Sequence, residues 1–433
     1  MTPIQVGIVG CLALVILLAA SMPVAFSMAL VGVVGFAYLV NPNAALSMVT
    51  ADLFETFSSY SLTVIPLFVF MGQICFHVGI SKRLFHAAYQ WLGHLPGGLA
   101  MATVGACTAF GAICGSGPAT AATMASVALP EMRRYKYSME LGAGAVAAGG
   151  SLGMLIPPSV VFIVYAIITE GSIGKLFIAG VLPGLLIATL FCITIYVECK
   201  LRPELGPTGP RTTLREKIVS LTGVSETLAL FIVVIGGMFG GFFTATEAAA
   251  VGAAGSLIIA LIKRQLTWKI LHRALLETLR TSCMVMVIVA GAVMFGRFLA
   301  ITRIPFELAT WLGGLPLPGW LIIFFIIIFY LIAGCFVDAL ALVLLTVPIF
   351  HPVVMDLGYD AIWFGVIIVV VTQMGVISPP VGVNVYVVAG MERDIPLTTV
   401  FRGAIPFLIA LIIAAILLVA FPQISLFLPN LVL

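Results

Sequence analysis

The chain has 433 residues, of which 62% are hydrophobic and only 9% charged, and its mean hydropathy is +1.23. So few polar side chains cannot cover a water-soluble globule of this size, and the chain reads as a polytopic membrane protein. The formal net charge of +3 is slight. No GxxxxGK(S/T) motif occurs, which excludes ATP binding through a P-loop, so any work must draw on a gradient or a partner.

In chain order, residues 1–45 are predicted to form N-terminal scaffold helices, drawn from the apolar run Pro3 to Leu39. Met1 to Ala25 lacks a basic opening and its apolar pattern continues past any cleavage point, so a cleaved leader is not expected. Residues 46–200 form a first repeat, with a hairpin at 98–130 and a broken helix at 138–168. A linking helix pair spans 201–266. Residues 267–433 form a second repeat, with a hairpin at 319–350 and a broken helix at 361–390. The runs Leu176 to Val197, Leu228 to Ile262 and Gly403 to Leu428 each supply one or two stretches near the roughly 20 residues that a spanning helix needs; about a dozen helical elements are predicted.

This division rests on self-similarity at an offset of 218 to 222 residues. LFET (Leu53 to Thr56) recurs as LLET (Leu275 to Thr278), and WLGHLP (Trp91 to Pro96) recurs as WLGGLP (Trp311 to Pro316). Pro130 answers Pro348, and GMLIPPS (Gly153 to Ser159) answers GVISPPV (Gly375 to Val381). Four matches in register indicate duplication.

Charge sets the orientation. All but three of the twenty Lys and Arg fall on one side of a trial topology: Lys82 and Arg83; Arg133, Arg134 and Lys136; Lys200, Arg202, Arg211, Arg215 and Lys217; Lys263, Arg264, Lys269, Arg273 and Arg280; Arg393 and Arg402. By the positive-inside rule that side is cytoplasmic. Lys175 and Arg303 lie opposite, and Arg297 lies within a span. The first hairpin then enters from the basic side and the second from the other, so the repeats are expected to be inverted, a secondary-transporter layout with its site near the midplane. SKRLFHAAYQWL, with Leu84, Phe85, Ala88, Trp91 and Leu92 on one face, and TWKILHRALLETLR, with Ile270, Leu271, Ala274, Leu275 and Leu279, read as helices along the interface.

Helix is interrupted in four places: the tips CGSGPAT (Cys114 to Thr120) and GCFVDAL (Gly334 to Leu340), and the paired prolines of GMLIPPS and GVISPPV. Unsatisfied backbone is costly in hydrocarbon, so it survives where it is buried in protein or lines a hydrated cavity. Paired prolines remove two N–H donors and free the preceding carbonyls, which suit a dehydrated monovalent cation, while half-helix N-termini suit an anion. One sodium site is assigned to Cys114, Gly115, Ser116, Gly153, Ile156 and Pro158. A second is assigned to Gly334, Asp338, Gly375, Ser378 and Pro380. Substrate contacts are assigned to Ser116, Thr120, Ser159, Val381 and Asn384. Plainer alternatives stay open: a simple proline kink, helix packing for Ser116 and Thr120, and an ion pair between Asp338 and Arg297. TATE (Thr244 to Glu247) reads as a capping box. The eight cysteines show no CxxC or zinc spacing and read mostly as small buried hydrophobes, with no transition metal or other cofactor expected.

SSYSLTVIPLFVFMGQ, GHLPGGLA, CGSGPAT, LIPPSVVFIVY, GKLFIAGVLPGLL, GGFFTATEAAAVGA, LTVPIF and GVIIVVVTQMGVISPPVGVNVYVVAG together resemble the large membrane subunit (DctM-like) of tripartite ATP-independent periplasmic (TRAP) transporters, over nearly the whole chain. The resemblance implies an all-α, multi-pass protein of the bacterial inner membrane in the ion transporter superfamily. It also implies elevator-type uptake of an anionic solute, typically a carboxylate, by symport with sodium. Two partners follow from it: a small four-helix membrane subunit, expected as a separate chain, and a periplasmic solute-binding protein. Cys114 and Thr120 depart from the SGS-x-x-x-D pattern of many members at the first tip. Two rivals are weighed. A self-sufficient sodium/carboxylate symporter differs only in needing no binding protein. An intramembrane enzyme lacks support, since His77 alone approaches membrane depth and no HExxH occurs.

Overall fold

The structure, a computed structural model, describes every residue except Arg211, Gly314, Leu315, Pro316 and Leu433. The Arg211 member of the basic clusters and the end of the WLGGLP repeat therefore lie outside the described residues. The described residues form no strand and fold into twenty-two α-helices rather than a dozen, joined by short turns. The excess comes from runs that glycine and proline cut into pieces. Leu228 to Ile262, for example, divides into Ser225–Phe231, a π turn at Ile232–Gly236, and a helix restarting at Ala245–Ile262. There the capping box forms as TATE predicts, with Thr244 N donating to the Glu247 carboxylate at 2.8 Å and Glu247 N donating back to the Thr244 hydroxyl at 3.3 Å. Among the described residues six helices are long and apolar enough to cross a membrane, or seven if the bent pair Leu214–Thr222 and Ser225–Phe239 is one span.

An outer group of helices packs around Trp268–Thr302, which runs alongside Val24–Leu39, Pro42–Ser58 and Val64–His77. Gly32 faces the Met294 main chain and Gly291 faces the Ala25 carbonyl, so neither position has room for a Cβ. With lipid as apolar as leucine, such close main-chain approach is what lets dispersion hold membrane helices together. The interface reading of TWKILHRALLETLR does not survive. No breaker follows it, and the segment continues into a 35-residue helix with Ala274 and Thr278 inward and Leu275 and Leu279 exposed. SKRLFHAAYQWL does form its own helix, Ile80–Leu92, started by Gly79 at φ +75°, and buries Leu84 and Phe85. Trp91 is exposed instead, its indole N–H donating to the Lys217 carbonyl at 3.2 Å.

The central group holds two helical hairpins, Gly98–Cys114 with Gly117–Arg134 and Gly319–Gly334 with Ala339–Asp356. Both run past the predicted ends at 130 and 350. Pro130, Pro348 and Pro352 stay inside helix, each forfeiting one main-chain bond that neighbouring packing compensates. Beside them lie two interrupted helices, Met139–Ser151 with Val160–Ile168 and Ala361–Gly375 with Val383–Met391. The first arm of each hairpin packs on the first half of the interrupted helix in its own repeat. The second arm packs on the last half of the interrupted helix in the other repeat: Gly117–Arg134 on Val383–Met391, and Ala339–Asp356 on Val160–Ile168. Ile173–Leu201 and Leu397–Ala420 flank this centre, and Gly403 sits so close to the Glu140 carbonyl that a Cβ would overlap it.

Contacts among the loops sort the two ends of this group. At one end Gly97 N bonds to the Gly206 carbonyl, Ser138 N to the Leu205 carbonyl and Thr212 to the Gln90 carbonyl, while Arg133 pairs with Glu392 at 3.3 Å. Away from these, the Tyr165 hydroxyl donates to the Ala361 carbonyl at 2.6 Å, joining the close of one interrupted helix to the start of the other.

The charged residue within the span does not take up the ion pair left open as an alternative for Asp338. Arg297 Nε lies 2.6 Å from Asp52 Oδ1, and Arg297 Nη2 lies 3.5 Å from Glu55, so Arg297 is not the partner of Asp338. Asp52 is fully buried and Arg297 half exposed. Losing the cation leaves a buried carboxylate uncompensated. Arg297→Leu is therefore expected to lower stability by about 3 kcal/mol, read as a drop in melting temperature of the purified protein. Adding Asp52→Asn should recover most of the loss, and an unchanged melt for Arg297→Leu alone would show that the pair contributes nothing.

Candidate functional site

Each interrupted helix meets the tip of the hairpin in its own repeat. Helix ends at Ser151, passes through a 3₁₀ turn at Leu152–Met154 and restarts at Val160. Its counterpart ends at Gly375 and restarts at Val383. Both Pro157–Pro158 and Pro379–Pro380 are cis. The freed N–H groups find main-chain partners on the tips: Val160 N donates to the Gly115 carbonyl at 3.3 Å, and Val381 N to the Cys335 carbonyl at 3.2 Å. These bonds are related by the same repeat offset that the sequence carries. The carbonyls ahead of the prolines are met by hydroxyls, since Ser159 donates to the Met154 carbonyl and Ser378 to the Met374 carbonyl at 2.5 Å.

Of the first ion set, Gly115, Ser116, Gly153 and Pro158 come together. Gly115 adopts φ +65°, and a Cβ there would collide with the Pro158 carbonyl; one on Gly153 would meet the Ser116 carbonyl and the Thr120 hydroxyl. Ser116 occupies the N-cap of Gly117–Arg134 without making the usual side-chain cap bond, so its hydroxyl is uncommitted. Cys114 and Ile156 border this group, with the Cys114 main chain against Gly72 and the Ile156 side chain against Gly184. Of the second set, Gly334 and Gly375 touch through their main chains. Ser378 is buried beside them, whereas Pro380 is exposed. Asp338 stands at the tip as the N-cap of Ala339–Asp356, accepting from Leu340 N at 3.1 Å.

The five substrate-assigned residues differ in burial and in what their polar atoms already bond. The Thr120 hydroxyl donates to the Ser116 carbonyl at 2.8 Å and that of Ser159 to Met154, so both buried donors are spent on main chain. Asn384 is buried and reaches across the repeats, its Nδ2 donating to the Ala147 carbonyl at 3.0 Å. Val381 is exposed and Ser116 half-buried.

Two residues escaped the sequence reading. Cys335 supplies the second tip's carbonyl, which its apolar side chain did not advertise. Gln373 is fully buried two residues before Gly375, with neither amide atom partnered, and Asn384 Oδ1 is likewise unpartnered. An amide side chain beside Thr372 in the otherwise apolar run GVIIVVVTQMG was the available signal. Of the five histidines, His77 pairs with Glu277 at 3.1 Å in the outer group. No cluster of metal-binding side chains occurs among the described residues.

The family described as "Tripartite ATP-independent periplasmic transporter, DctM component" matches residues 11–424. The C4-dicarboxylate TRAP transporter large permease protein DctM of Pseudomonas aeruginosa is 40% identical over 90% of this chain and 91% of its own length. The sialic acid TRAP transporter large permease protein SiaM of Vibrio cholerae is 34% identical over 96% of each. Among solved structures, the YdaH transporter of Alcanivorax borkumensis superposes with a TM-score of 0.62 over 88% of this chain and 89% of its own, at 14% identity, a likeness of fold alone. A family of permease subunits leaves the rival readings, a self-sufficient symporter or an enzyme, without support. With at least six apolar spans, the protein is a multi-pass protein of the bacterial inner membrane. Its motifs, its two tip-and-break assemblies and this near full-length match place the chain in the DctM family, the large permease component of tripartite ATP-independent periplasmic transporters.

Proposed function

We propose that the chain imports a small organic anion, a carboxylate, by symport with sodium. In this reading it works with a small four-helix membrane subunit and a periplasmic solute-binding protein that delivers the solute. The observation that carries this reading is the paired set of tip-to-break assemblies, in which main-chain oxygens and half-helix N-termini gather twice at the repeat offset. Relatives named for C4-dicarboxylates and for sialic acid support a carboxylate; one named DctMQ, of which this chain covers 59%, supports a companion membrane subunit.

The two sodium ions are assigned to Cys114, Gly115, Ser116, Gly153, Ile156 and Pro158, and to Gly334, Asp338, Gly375, Ser378 and Pro380. The solute is assigned to the space between the tips, near Ser116, Thr120, Ser159, Val381 and Asn384. Thr120 and Ser159 then act by holding main chain, and Gln373 joins the set. Burying an amide without partners costs several kcal/mol in an apolar setting, so the unpaired Gln373 is explained by a solute or its water that bonds there on loading. Inverted repeats are supported by the crosswise packing of hairpin arms and by the Tyr165–Ala361 and Arg133–Glu392 contacts at opposite ends. Elevator movement is supported by a cavity of about 1030 Å³ between the outer group, at Arg297 and Thr56, and the central group, at Leu344 and Pro348.

Proteoliposomes holding both membrane subunits and the binding protein should accumulate solute only under an inward sodium gradient; equal uptake in potassium would refute the coupling. Asp338→Ser keeps a cap for Ala339–Asp356 but removes the charge. It is expected to raise the sodium concentration for half-maximal uptake roughly ten-fold, the loss of one charge-assisted contact, and a wild-type sodium dependence would take Asp338 out of the site. Gln373→Leu should lower uptake about ten-fold while the melting temperature holds or rises, because no internal bond is lost. A lowered melt with normal uptake would make Gln373 a packing residue.

A further inference from the structure

A second basin lies outside the transport site, between the amphipathic helix Ile80–Leu92 and the helix Leu214–Thr222. It is open and holds about 1250 Å³. Lys82, Arg83 and His86 line it from one helix and Arg215 from the other, with Glu216 the one carboxylate among the lining residues. That carboxylate is already engaged, accepting from Thr213 N at 2.7 Å and from the Thr213 hydroxyl at 2.9 Å in a capping box. Three permanent cations therefore face one capped anion, and the basin favours negative charge.

The wall of the basin shows what kind of anion fits. Leu214–Thr222 presents Leu214, Ile218 and Leu221 outward, all exposed, at spacings of four and three that put them on one face. Its Arg215 and Val219 face the basin. A short helix with an exposed aliphatic stripe and an adjoining basic concavity has the chemistry of a membrane-interface site: hydrocarbon lies against the stripe and a charged headgroup sits among the cations. The basin adjoins the loops that carry the basic clusters, since Thr212 bonds to the Gln90 carbonyl and Gly209 N to the Gly93 carbonyl. A soluble phosphate would use the cations and leave the stripe bare.

We propose that this basin binds the headgroup phosphate of an anionic phospholipid, with its acyl chains laid along Leu214, Ile218 and Leu221. Such a lipid bridges Leu214–Thr222 to Ile80–Leu92, and through it to the first hairpin arm Gly98–Cys114, against which Ile80–Leu92 packs. The proposal is independent of which solute is carried.

The test uses the purified, delipidated complex with its small subunit, titrated separately with phosphatidylglycerol, phosphatidylcholine and inorganic phosphate and followed by native mass spectrometry. Saturable binding of phosphatidylglycerol at least ten-fold tighter than of phosphatidylcholine is expected. Lys82→Gln and Arg215→Gln should each weaken it about five-fold with melting temperatures unchanged, and Arg215→Lys should bind like wild type. Equal binding of both lipids, wild-type affinity in both Gln variants, or no saturable binding would overturn the proposal. Displacement of phosphatidylglycerol by millimolar inorganic phosphate would overturn it as well, in favour of a soluble anion site.

Discussion

In hydrocarbon every main-chain N–H and C=O needs a partner from the protein, because no water is there to supply one. The interrupted helices of this chain violate that demand locally, and the hairpin tips meet it. Val160 N reaches the Gly115 carbonyl and Val381 N reaches the Cys335 carbonyl. Glycine is required where the chains meet: Gly115 takes a left-handed conformation under the Pro158 carbonyl, and Gly375 lies directly against the Gly334 main chain. Tip and break are therefore one unit in each half, and displacing either would strand polar main chain.

The two units are alike in bonding and unlike in exposure. Around the first, Pro157 to Ser159 are buried; around the second, Pro379 to Val381 are exposed, and Asp338 stands open at the tip. Crosswise packing couples them, since each hairpin sends its second arm onto the interrupted helix of the other half. Asn384 makes the same crossing with a single hydrogen bond to the Ala147 carbonyl.

Buried polar atoms left without partners occur in both groups, those of Gln73 and Ser282 among them in the outer one. In the outer group the buried Asp52 is balanced by Arg297, a pairing internal to that group. In the centre, Gln373 and the Asn384 carbonyl oxygen are buried and unbalanced. Such groups are retained in folded proteins mainly where something else supplies the missing bonds. Both lie close to the second break in the chain.

Much of this was legible in the residues themselves. Hydropathy dictated membrane residence, the duplicated PP motifs located both breaks, and TATE announced its cap, because each depends on short-range chemistry that a few neighbouring side chains settle. Other features depended on distant segments. Pro130, Pro348 and Pro352 did not end their helices, since packing outweighed one lost bond apiece. Arg297 chose Asp52 over Asp338, and Trp91 turned outward to Lys217, because those partners are adjacent only after folding. Thr120 and Ser159 looked like free hydroxyls until the fold aimed them at the Ser116 and Met154 carbonyls. Local composition determined where helix must fail, whereas only the tertiary structure decided which oxygens would compensate the failure, since hydrogen bonds form between atoms near in space, however far apart in the chain.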